Sequence, residues 1–377
     1  MKVDLKIRSP THIGSGTTLN KHEYLFDEDQ ASVPDLDAYF REHPDEIQAF
    51  VAAMERGAPV GEFFDHTGQY SRYTLSSWVS SGSIGNSQVS VAIKDGTGSP
   101  YIPGTSLKGW IRTALAYRLL TNGSHLNRTD GNSVEEHFRV GDEGPRHDLL
   151  RCVTVRDTEP VSTDRLALCE TKTYSLQRSG TLRKKHWSNY AECLVDGTEL
   201  TTEILVDAPL LNRLVDRESA TATARAVFGD DLSEEGMLAT ISAALEQFQA
   251  VVRREDQRLI DTEGIVEFYS TLPTTGPFFR IGFGTGHHSK TVSLALSETK
   301  RINANIEAGL KHADCGGSLR KDRRSTSRLF CSRCSEGDIV PNFENVVRFP
   351  KTREFVLRNG SPYAPLGWIE ASLRGPL

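Results

Sequence analysis

The segment from Arg280 to Thr291 carries residue types that can bind an anion. It has the sequence Arg-Ile-Gly-Phe-Gly-Thr-Gly-His-His-Ser-Lys-Thr, with glycines at three alternate positions. Because glycine has no side chain, a polyanion can approach the main-chain N–H groups of such a loop. Ser289, Lys290 and Thr291 add a cation and hydroxyl groups where a helix is predicted to start, near His288. We expect this loop to bind phosphate; the alternative is a tight turn without a ligand.

This Gly-rich loop departs from the two common nucleotide-binding patterns. A P-loop has glycine immediately before its lysine, whereas Ser289 precedes Lys290 here. A dinucleotide fingerprint has the spacing G-x-G-x-x-G, whereas these glycines have the spacing G-x-G-x-G and no early βαβ unit surrounds them. The loop is therefore not predicted to bind ATP or a dinucleotide.

A second candidate anion site lies at the predicted start of a helix. Pro103-Gly104-Thr105-Ser106 opens this helix with hydroxyl groups at its cap, and Lys108 and Arg112 lie four residues apart on its polar face. The N-terminus of a helix attracts anions through its free N–H groups and its dipole. The alternative is an ordinary capped amphipathic helix with two solvated cations.

Three of the six cysteines lie near the C-terminus at metal-ligand spacing. His312 and Cys315 form one short pair and Cys331 and Cys334 another, with fifteen residues between the pairs, as in zinc ribbons. A closed shell of three cysteines and one histidine predicts a structural Zn²⁺; the alternative is three reduced thiols and a surface histidine. The loop between the pairs carries cations that bind RNA or a neighbouring subunit, or else form a solvated face: Arg320, Lys321, Arg323, Arg324 and Arg328.

Length and composition indicate an ordered, soluble chain. It has 377 residues, 37% apolar and 25% charged, and a net charge of −6, which argues against a protein uniformly coated in nucleic acid. No apolar run approaches the length of a membrane span, and the first residues alternate charged with apolar types rather than forming a signal peptide. The sequence therefore predicts a cytoplasmic protein that does not contact a membrane.

Periodicity predicts an α+β fold. Alternation predicts strands at 2–8, 88–94, 149–156 and 166–174, a hairpin over 190–206, a short strand before the Gly-rich loop and further strands between 345 and 373. Helical spacing predicts helices at 45–55, from 103 onward, and at 211–228, 234–259 and 262–270, while 177–186 is predicted to be a basic loop. We expect a ferredoxin-like core over 1–210 and 272–377, a helical subdomain at 211–271, an acidic insertion at 20–86 and a zinc-knuckle-like insertion at 312–334.

Four motifs resemble the signatures of RAMP proteins. They are Ser9-Pro10-Thr11-His12-Ile13-Gly14-Ser15-Gly16, the element from Tyr101 to Gly109, the Gly-rich loop, and Pro365-Leu366-Gly367-Trp368. The second element is shared by many RAMP subunits. The Gly-rich loop and the last motif are similar to those of subunit five of the type III-A (Csm) CRISPR effector complex.

This resemblance implies an RNA-recognition-motif-like core and a subunit that caps the 3′ end of the guide. The implied partners are the 3′ portion of the CRISPR RNA, the neighbouring RAMP backbone and small subunits, and, indirectly, the target RNA. It also implies no nuclease activity. The residues that it implies in guide contacts are His12, Gly14, Ser106, Lys108, Arg112, Arg280, Gly282, Gly284, Gly286 and Lys290.

Two enzymatic functions are the alternatives. A metal-independent endoribonuclease that processes CRISPR precursor RNA would use His12, His287 or His288 as general acid or base. A zinc hydrolase is disfavoured because the predicted ligand shell is closed and the sequence has no H-E-x-x-H pattern.

Overall fold

The computed structural model describes residues 1–377 except 27–28, 59, 65–67, 80–83, 85–86, 125–130, 142–143, 178–180, 216–217, 259–262, 274–275, 297–316, 323–324, 335–338, 341–349, 351 and 375–377. The strands in the described residues are β1 (Lys2–Ile7), β2 (Gly14–Leu19), β3 (Leu25–Phe26), β4 (Gln30–Pro34), β5 (Ser71–Ser77), β6 (Val89–Ala92), β7 (Val153–Val155), β8 (Leu166–Leu176), β9 (Leu182–Leu194), β10 (Glu199–Val206), β11 (Phe278–Arg280), β12 (Leu319–Asp322), β13 (Ser325–Cys331), β14 (Ile339–Val340), β15 (Thr352–Arg358), β16 (Ser361–Pro365) and β17 (Trp368–Arg374). The helices are α1 (Leu36–Glu42), α2 (Ile47–Glu55), α3 (Gly104–Thr121), α4 (Gly131–Glu136), α5 (Ala208–Leu214), α6 (Glu218–Phe228), α7 (Glu234–Arg258) and α8 (Glu263–Thr271).

A five-stranded sheet has β1 at its centre, in the order β11-β17-β1-β10-β7. Strand β1 is antiparallel to both β10 and β17. Its Val3, Leu5 and Ile7 are buried on one face, as the alternation of apolar residues predicts. Helix α3 lies in sequence between β1 and β7, and helices α5 to α8 lie between β10 and β11.

A second sheet has the order β2-β6-β9-β8-β5-β4-β3, and β15 joins it through β8. The prediction of a basic loop over 177–186 is wrong from Leu182 onward, because β9 begins there and pairs antiparallel with β8, with Tyr174 opposite Lys184. The predicted hairpin over 190–206 is also wrong. Its two strands exist, but β9 pairs with β8 and β6 whereas β10 pairs with β1 and β7. Alternation fixes the face of a strand but not its partner.

Helix α3 shares one hydrophobic core with helices α5, α6 and α7. The predicted apolar face of α3 is buried, with Ile111, Ala114 and Leu115 at 1% exposure or less. The same cluster includes Phe228 of α6 and Phe248 of α7. Helices α5, α6 and α7 therefore pack on the same core as α3, whereas Ile265 and Tyr269 of α8 belong to a second cluster with Trp368.

The acidic segment 20–86 contains regular structure in its described part. It contains strands β3, β4 and β5 and helices α1 and α2, and a hydrophobic cluster that includes Tyr39, Val60 and Phe64. Strand β5 joins this unit to the second sheet by a parallel pair with β8. Within the described residues, no helix is long and apolar enough to cross a membrane.

Candidate RNA interface

The C-terminal motif Pro365–Trp368 is interlocked with two of the other motifs. The N–H of Gly367 donates to the carbonyl of Pro10 at 2.9 Å, and the carbonyl of Gly367 accepts from the N–H of Ile281 at 3.0 Å. An added Cβ on Gly367 would lie 2.3 Å from the Ile281 carbonyl oxygen, and its φ is +83°. Glycine is required here because both the backbone angle and the close approach exclude a side chain.

His12 joins the N-terminal motif to the Gly-rich loop. Its carbonyl accepts from the N–H of Phe283 at 2.9 Å. Its ring is buried, and Nδ1 lies 2.7 Å from the carbonyl oxygen of Glu192 on β9, so Nδ1 carries the donated proton. Burial lowers the pKa of His12, which favours the neutral ring. His12 therefore holds the loop against the second sheet.

The glycines of the loop serve different purposes. Gly282, Gly284 and Gly286 have φ of +93°, +72° and +83°, which glycine adopts without strain. An added Cβ on Gly282 would lie 2.3 Å from the His12 carbonyl oxygen, and one on Gly284 would lie 2.9 Å from Leu366 Cδ1. A Cβ on Gly286 would meet nothing within 4 Å. Gly282 and Gly284 are therefore needed for packing within the protein, whereas the main chain at Gly286 is open to solvent.

The prediction of a helix starting near His288 is wrong. Residues 285–292 form turns, followed by a 3₁₀ turn at Ser293–Ala295. The hydroxyl of Ser289 donates to the carbonyl of Thr285 at 2.8 Å, and that of Thr291 donates to the carbonyl of His287 at 3.0 Å. Such side-chain bonds to the local backbone compete with helical hydrogen bonds. This loop therefore has no helix N-terminus that could bind a phosphate.

Three residues of the Gly-rich loop are exposed to solvent. Phe283 is 44% exposed, and Gly286 and Lys290 are also exposed. The ring of Phe283 packs edge-on against His12, with the centroids 6.1 Å apart. The loop thus combines an exposed aromatic ring, an open glycine and a cation, which are the features that single-stranded RNA uses for stacking and phosphate contact.

Arg280, a predicted guide contact, is buried beneath the loop. Its guanidinium forms an ion pair with Asp256 of α7, and Nε donates to the carbonyl of Leu366 at 3.0 Å. Its charge also lies 5.6 Å from the ring of Trp368. With these internal partners, Arg280 positions the loop rather than facing a solvent-borne ligand. The local sequence pattern could not show whether Arg280 binds a ligand or supports the loop, because the partners of Arg280 come from distant parts of the chain.

The start of α3 is capped by the protein's own carboxylate. The N–H of Gly104 donates to Asp157 Oδ1 at 2.7 Å, and an added Cβ on Gly104 would lie 2.0 Å from the Val155 carbonyl oxygen. The N-cap residue is Pro103, and no side chain caps the helix from that position. The predicted hydroxyl cap is therefore wrong. One of the N–H groups predicted to attract an anion, that of Gly104, already donates to the carboxylate of Asp157.

The predicted cations of α3 differ in their surroundings. Arg112 forms a 2.6 Å ion pair with Asp148, whereas partial burial, followed by the nearby charge of Arg112, lowers the pKa of Lys108. Ser106 is half-buried. Trp110 of the same helix stacks on Phe279 of β11 with ring centroids 3.9 Å apart. This contact packs α3 against the strand that precedes the Gly-rich loop.

Gly14, the remaining predicted contact, begins β2 and is exposed. An added Cβ on Gly14 would lie 3.0 Å from His12 Nε2. Six of the predicted residues thus lie on two segments that contact each other, the N-terminal motif and the Gly-rich loop: His12, Gly14, Gly282, Gly284, Gly286 and Lys290. Ser106, Lys108 and Arg112 lie on α3.

Sequence analysis missed a buried acidic centre beside His12. Glu192 is 1% exposed, pairs with Lys94, and accepts from the hydroxyl of Tyr73 at 2.7 Å and the N–H of Ala92 at 2.9 Å. Burial, together with the charge of Glu192, raises the pKa of Tyr73. This cluster ties β5, β6 and β9 together, and no local spacing in the sequence could have indicated it.

The pair β8–β9 presents a basic, aromatic surface that was predicted only as a loop. Trp187 is 53% exposed, and Lys185 Nζ lies 5.5 Å from its ring centroid. Arg183 and Lys184 are exposed on the same strand. A rigid ribbon with cations and an exposed indole can stack on bases and neutralise phosphates.

The predicted zinc ligands are only partly described. His312 and Cys315 lie outside the described residues, while Cys331 ends β13 and Cys334 is exposed. The N–H of Arg333 donates to Cys331 Sγ at 3.4 Å, and an added Cβ on Gly317 would lie 2.6 Å from that sulfur. The described residues contain no group of three or more possible ligands, and zinc stays a prediction.

Comparisons with known proteins agree on one family. A sequence model of the RAMP superfamily matches residues 4–286. The CRISPR system Cms protein Csm5 from Streptococcus thermophilus is 24% identical over 249 residues, which are 59% of this chain and 68% of that protein. A protein of the same description from Mycobacterium tuberculosis is 22% identical over 365 residues, which are 85% of this chain and 90% of that protein. These matches confirm the resemblance to subunit five that the motifs indicate.

Solved structures show the same fold. A chain in the cryo-EM structure of a Csm–crRNA–target RNA ternary complex from a type III-A system matches with a TM-score of 0.70 and 23% identity, covering 99% of this chain and 100% of that chain. The crystal structure of Csm5 from T. onnurineus matches with a TM-score of 0.63 and 21% identity, covering 97% of this chain and 99% of that chain. The predicted α+β RAMP-type architecture is confirmed.

Proposed function

Since the chain belongs to the RAMP superfamily, we propose that it is a non-catalytic subunit that binds the 3′ portion of the CRISPR RNA and caps the guide in a type III-A effector complex. One observation carries this proposal. The interlocked motifs present Phe283, Gly286 and Lys290 together at the surface of one loop. A stacking ring beside a cation and an open main chain suits single-stranded RNA, whose bases and phosphates are both exposed.

The five-stranded sheet supports a ferredoxin-like core. Four of its strands have the order β17-β1-β10-β7, with α3 between β1 and β7 and the helical block between β10 and β17. This is the βαββαβ arrangement in which β1 and β7 run in one direction and β10 runs antiparallel between them. Strand β11 then extends the sheet at one edge.

The proposed partners are the neighbouring backbone and small subunits, with target RNA contacted indirectly through the guide. The Csm–crRNA–target RNA complex contains a chain of the same fold, which supports this placement. The basic surface around Trp187 supports a second nucleic-acid contact away from the loop.

The non-catalytic role is supported by the surroundings of the histidines. His12 is buried with its Nδ1 at a carbonyl oxygen, and His288 is buried with its Nδ1 3.1 Å from the hydroxyl of Ser293. General acid–base catalysis needs a histidine within hydrogen-bond reach of the reacting 2′-hydroxyl. Burial lowers the pKa of the half-buried His287. Incubation of the purified chain with repeat-containing RNA in EDTA tests the endoribonuclease alternative, and specific cleavage would support that enzyme.

We expect a reconstituted complex that lacks this chain to lose the 3′-mature guide but to keep its intrinsic target cleavage. The physical reason is that the chain protects and positions the guide end without supplying a reacting group. Sequencing of bound RNA and a cleavage assay with labelled target measure the two results. Normal retention of mature guide without the chain would contradict the capping role. Loss of cleavage at every usual position despite normal assembly would contradict the non-catalytic role.

We also propose one structural Zn²⁺ held by His312, Cys315, Cys331 and Cys334. When bound, it would link the two ligand pairs as a structural ion with a closed shell. We expect elemental analysis of freshly purified protein to find about one zinc per chain. Cys331→Ser should lower the melting temperature and the zinc content, whereas Arg333→Ala, a non-ligand in the same turn, should keep the zinc. Purified protein without metal would refute the site.

A further inference from the structure

Arg353 has a buried guanidinium edge that none of the described residues satisfies. It lies on β15, where its Nη1 donates to the carbonyl oxygens of Pro350 at 2.8 Å and Thr352 at 3.1 Å. Its Nε and Nη2 atoms are buried and have no hydrogen-bond partner in the described part of the chain. Buried donors of a charged group that stay unpaired are costly, so they indicate a ligand with acceptor atoms.

The two unpaired atoms form the side-on fork of the guanidinium. The Nε–H and Nη2–H bonds point in nearly the same direction, so together they match two oxygens of one phosphate or carboxylate group. The two bonds made by Nη1 hold the guanidinium in place on the other side. The fork is therefore preorganised, and a ligand does not have to order it.

Arg353 lines a small cavity beneath the Gly-rich loop. The other lining residues include Gly284, Thr285, Gly286 and His287 of the loop, and the cavity volume is about 20 Å³. Such a volume holds about one water-sized group. A phosphate that approaches from the loop can therefore place one oxygen atom in the cavity, and a base or a whole nucleotide does not fit.

The acidic residues around this cavity already have partners. Asp256 is paired with Arg280, and Glu354 Oε1 accepts from Asn189 Nδ2 at 2.9 Å. Neither carboxylate forms an ion pair or hydrogen bond with the Arg353 fork. Among the described residues, no acceptor therefore occupies the Arg353 fork, which leaves these two donors open to an anion.

We propose that Arg353 binds one phosphodiester group of the guide RNA from beneath the Gly-rich loop. This inference rests on the proposed RNA-binding function and adds to it a residue from a different part of the chain. A phosphate is favoured over a partner protein's carboxylate because the main chain of Gly284–Gly286 lines the same cavity. Lys290 interacts electrostatically with the cavity residues Arg280 and Glu354 and adds an exposed cation beside the buried guanidinium of Arg353.

The test uses the reconstituted effector complex with Arg353→Gln, Arg353→Lys or the control Arg358→Gln. Arg358 is on the same strand, but it is exposed and its guanidinium lies 4.6 Å from the ring of Trp78. We expect Arg353→Gln to weaken guide binding by about 10- to 100-fold and to reduce the salt slope by about one unit or less. Arg353→Lys keeps the charge but loses the fork, so its affinity should be intermediate and its salt slope unchanged. Arg358→Gln should bind like the wild type.

Guides with a single neutral methylphosphonate at successive linkages of the 3′ portion locate the phosphate. We expect one linkage at which the replacement weakens binding to the wild-type complex but adds no loss to the Arg353→Gln complex, because the contact is already absent. Equal, additive losses at every linkage in both complexes would overturn the assignment of a single phosphate to this residue.

Folding and protein contacts are measured separately. Because the fork has no partner among the described residues, the free Arg353→Gln chain should unfold at a denaturant concentration close to that of Arg358→Gln. A much lower midpoint with unchanged guide affinity would make Arg353 a structural residue and overturn the proposal. Weaker association with the neighbouring backbone subunit without RNA would assign the fork to a protein carboxylate instead. If Lys290→Ala weakens guide binding and Arg353→Gln does not, only this inference fails; if neither does, the RNA-binding role of the loop fails as well.

Discussion

Gly282→Ala should lower the free energy of unfolding by about 3 kcal/mol and prevent normal incorporation of the chain into its complex. A left-handed backbone angle at a non-glycine residue costs about 1–2 kcal/mol, and here the added methyl group also meets a backbone atom. The φ of Gly282 is +93°, and the methyl carbon would lie 2.3 Å from the carbonyl oxygen of His12. That carbonyl is held by the N–H of Phe283, so it cannot move without breaking the hydrogen bond between the two motifs. Urea unfolding of the purified chain measures the loss.

Gly286→Ala is the matched control in the same loop. Its φ of +83° gives a similar backbone penalty, but the added methyl group would have nothing within 4 Å. We expect a loss of about 1–2 kcal/mol, with the chain still folded. If the free energy of guide binding falls by more than the free energy of unfolding, the difference indicates that RNA contacts the open main chain at Gly286. Equal stability losses for the two variants would show that the close approach at His12 has no energetic consequence.

The three glycines of the loop show what a local sequence pattern can and cannot predict. The spacing G-x-G-x-G indicated that side chains must be absent, and this is confirmed for all three positions by their positive φ. The predicted reason was the approach of a ligand, whereas for Gly282 and Gly284 the structure supplies an internal reason in His12 and Leu366. Both contacts join residues that are far apart in the chain. A local pattern can therefore identify the constrained position without identifying what constrains it.

The same limit applies to charges and strands. The helical face of α3 and the alternation of β1 were predicted because each repeats within a few residues. The pairing of Arg280 with Asp256 and the capping of Gly104 by Asp157 depend on tertiary structure, so a cation and a helix start that looked available to RNA are already engaged. Arg353 is the converse case, since no motif marked it and its unpaired fork is visible only in three dimensions.

The interlocked motifs also explain why the two ends of the chain contribute to one surface. Strand β1 near the N-terminus pairs with β17 near the C-terminus, and the N–H of Trp368 donates to the hydroxyl of Ser9 at 2.9 Å. The Gly-rich loop joins this arrangement because the N–H of Ile281 donates to the carbonyl of Gly367. A change in any of the three segments therefore alters the same surface, so measurements of RNA affinity need a measurement of stability beside them.

Arg280→Ala should act on folding rather than directly on RNA. The guanidinium of Arg280 and the carboxylate of Asp256 are both nearly inaccessible, with side-chain exposures of 4% and 6%. Removing one partner of a buried ion pair leaves an uncompensated charge, which costs about 3–5 kcal/mol. The hydroxyl of Tyr269, 3.3 Å from Asp256, offers one neutral donor in place of the lost cation. Unfolding in urea should therefore show a loss near the lower end of that range.

The double variant Arg280→Leu/Asp256→Leu separates the lost pair from the isolated charge. We expect it to recover much of the stability that Arg280→Ala loses, because neither charge then remains buried. Lys6→Ala is the surface comparison: Lys6 and Glu199 form a 3.3 Å ion pair with side-chain exposures of 42% and 75%. Exposed pairs contribute about 0–1 kcal/mol, so this variant should unfold almost like the wild type. If Arg280→Ala instead keeps wild-type stability and loses guide RNA, then Arg280 contacts RNA despite its burial, and its role as a support for the Gly-rich loop is wrong.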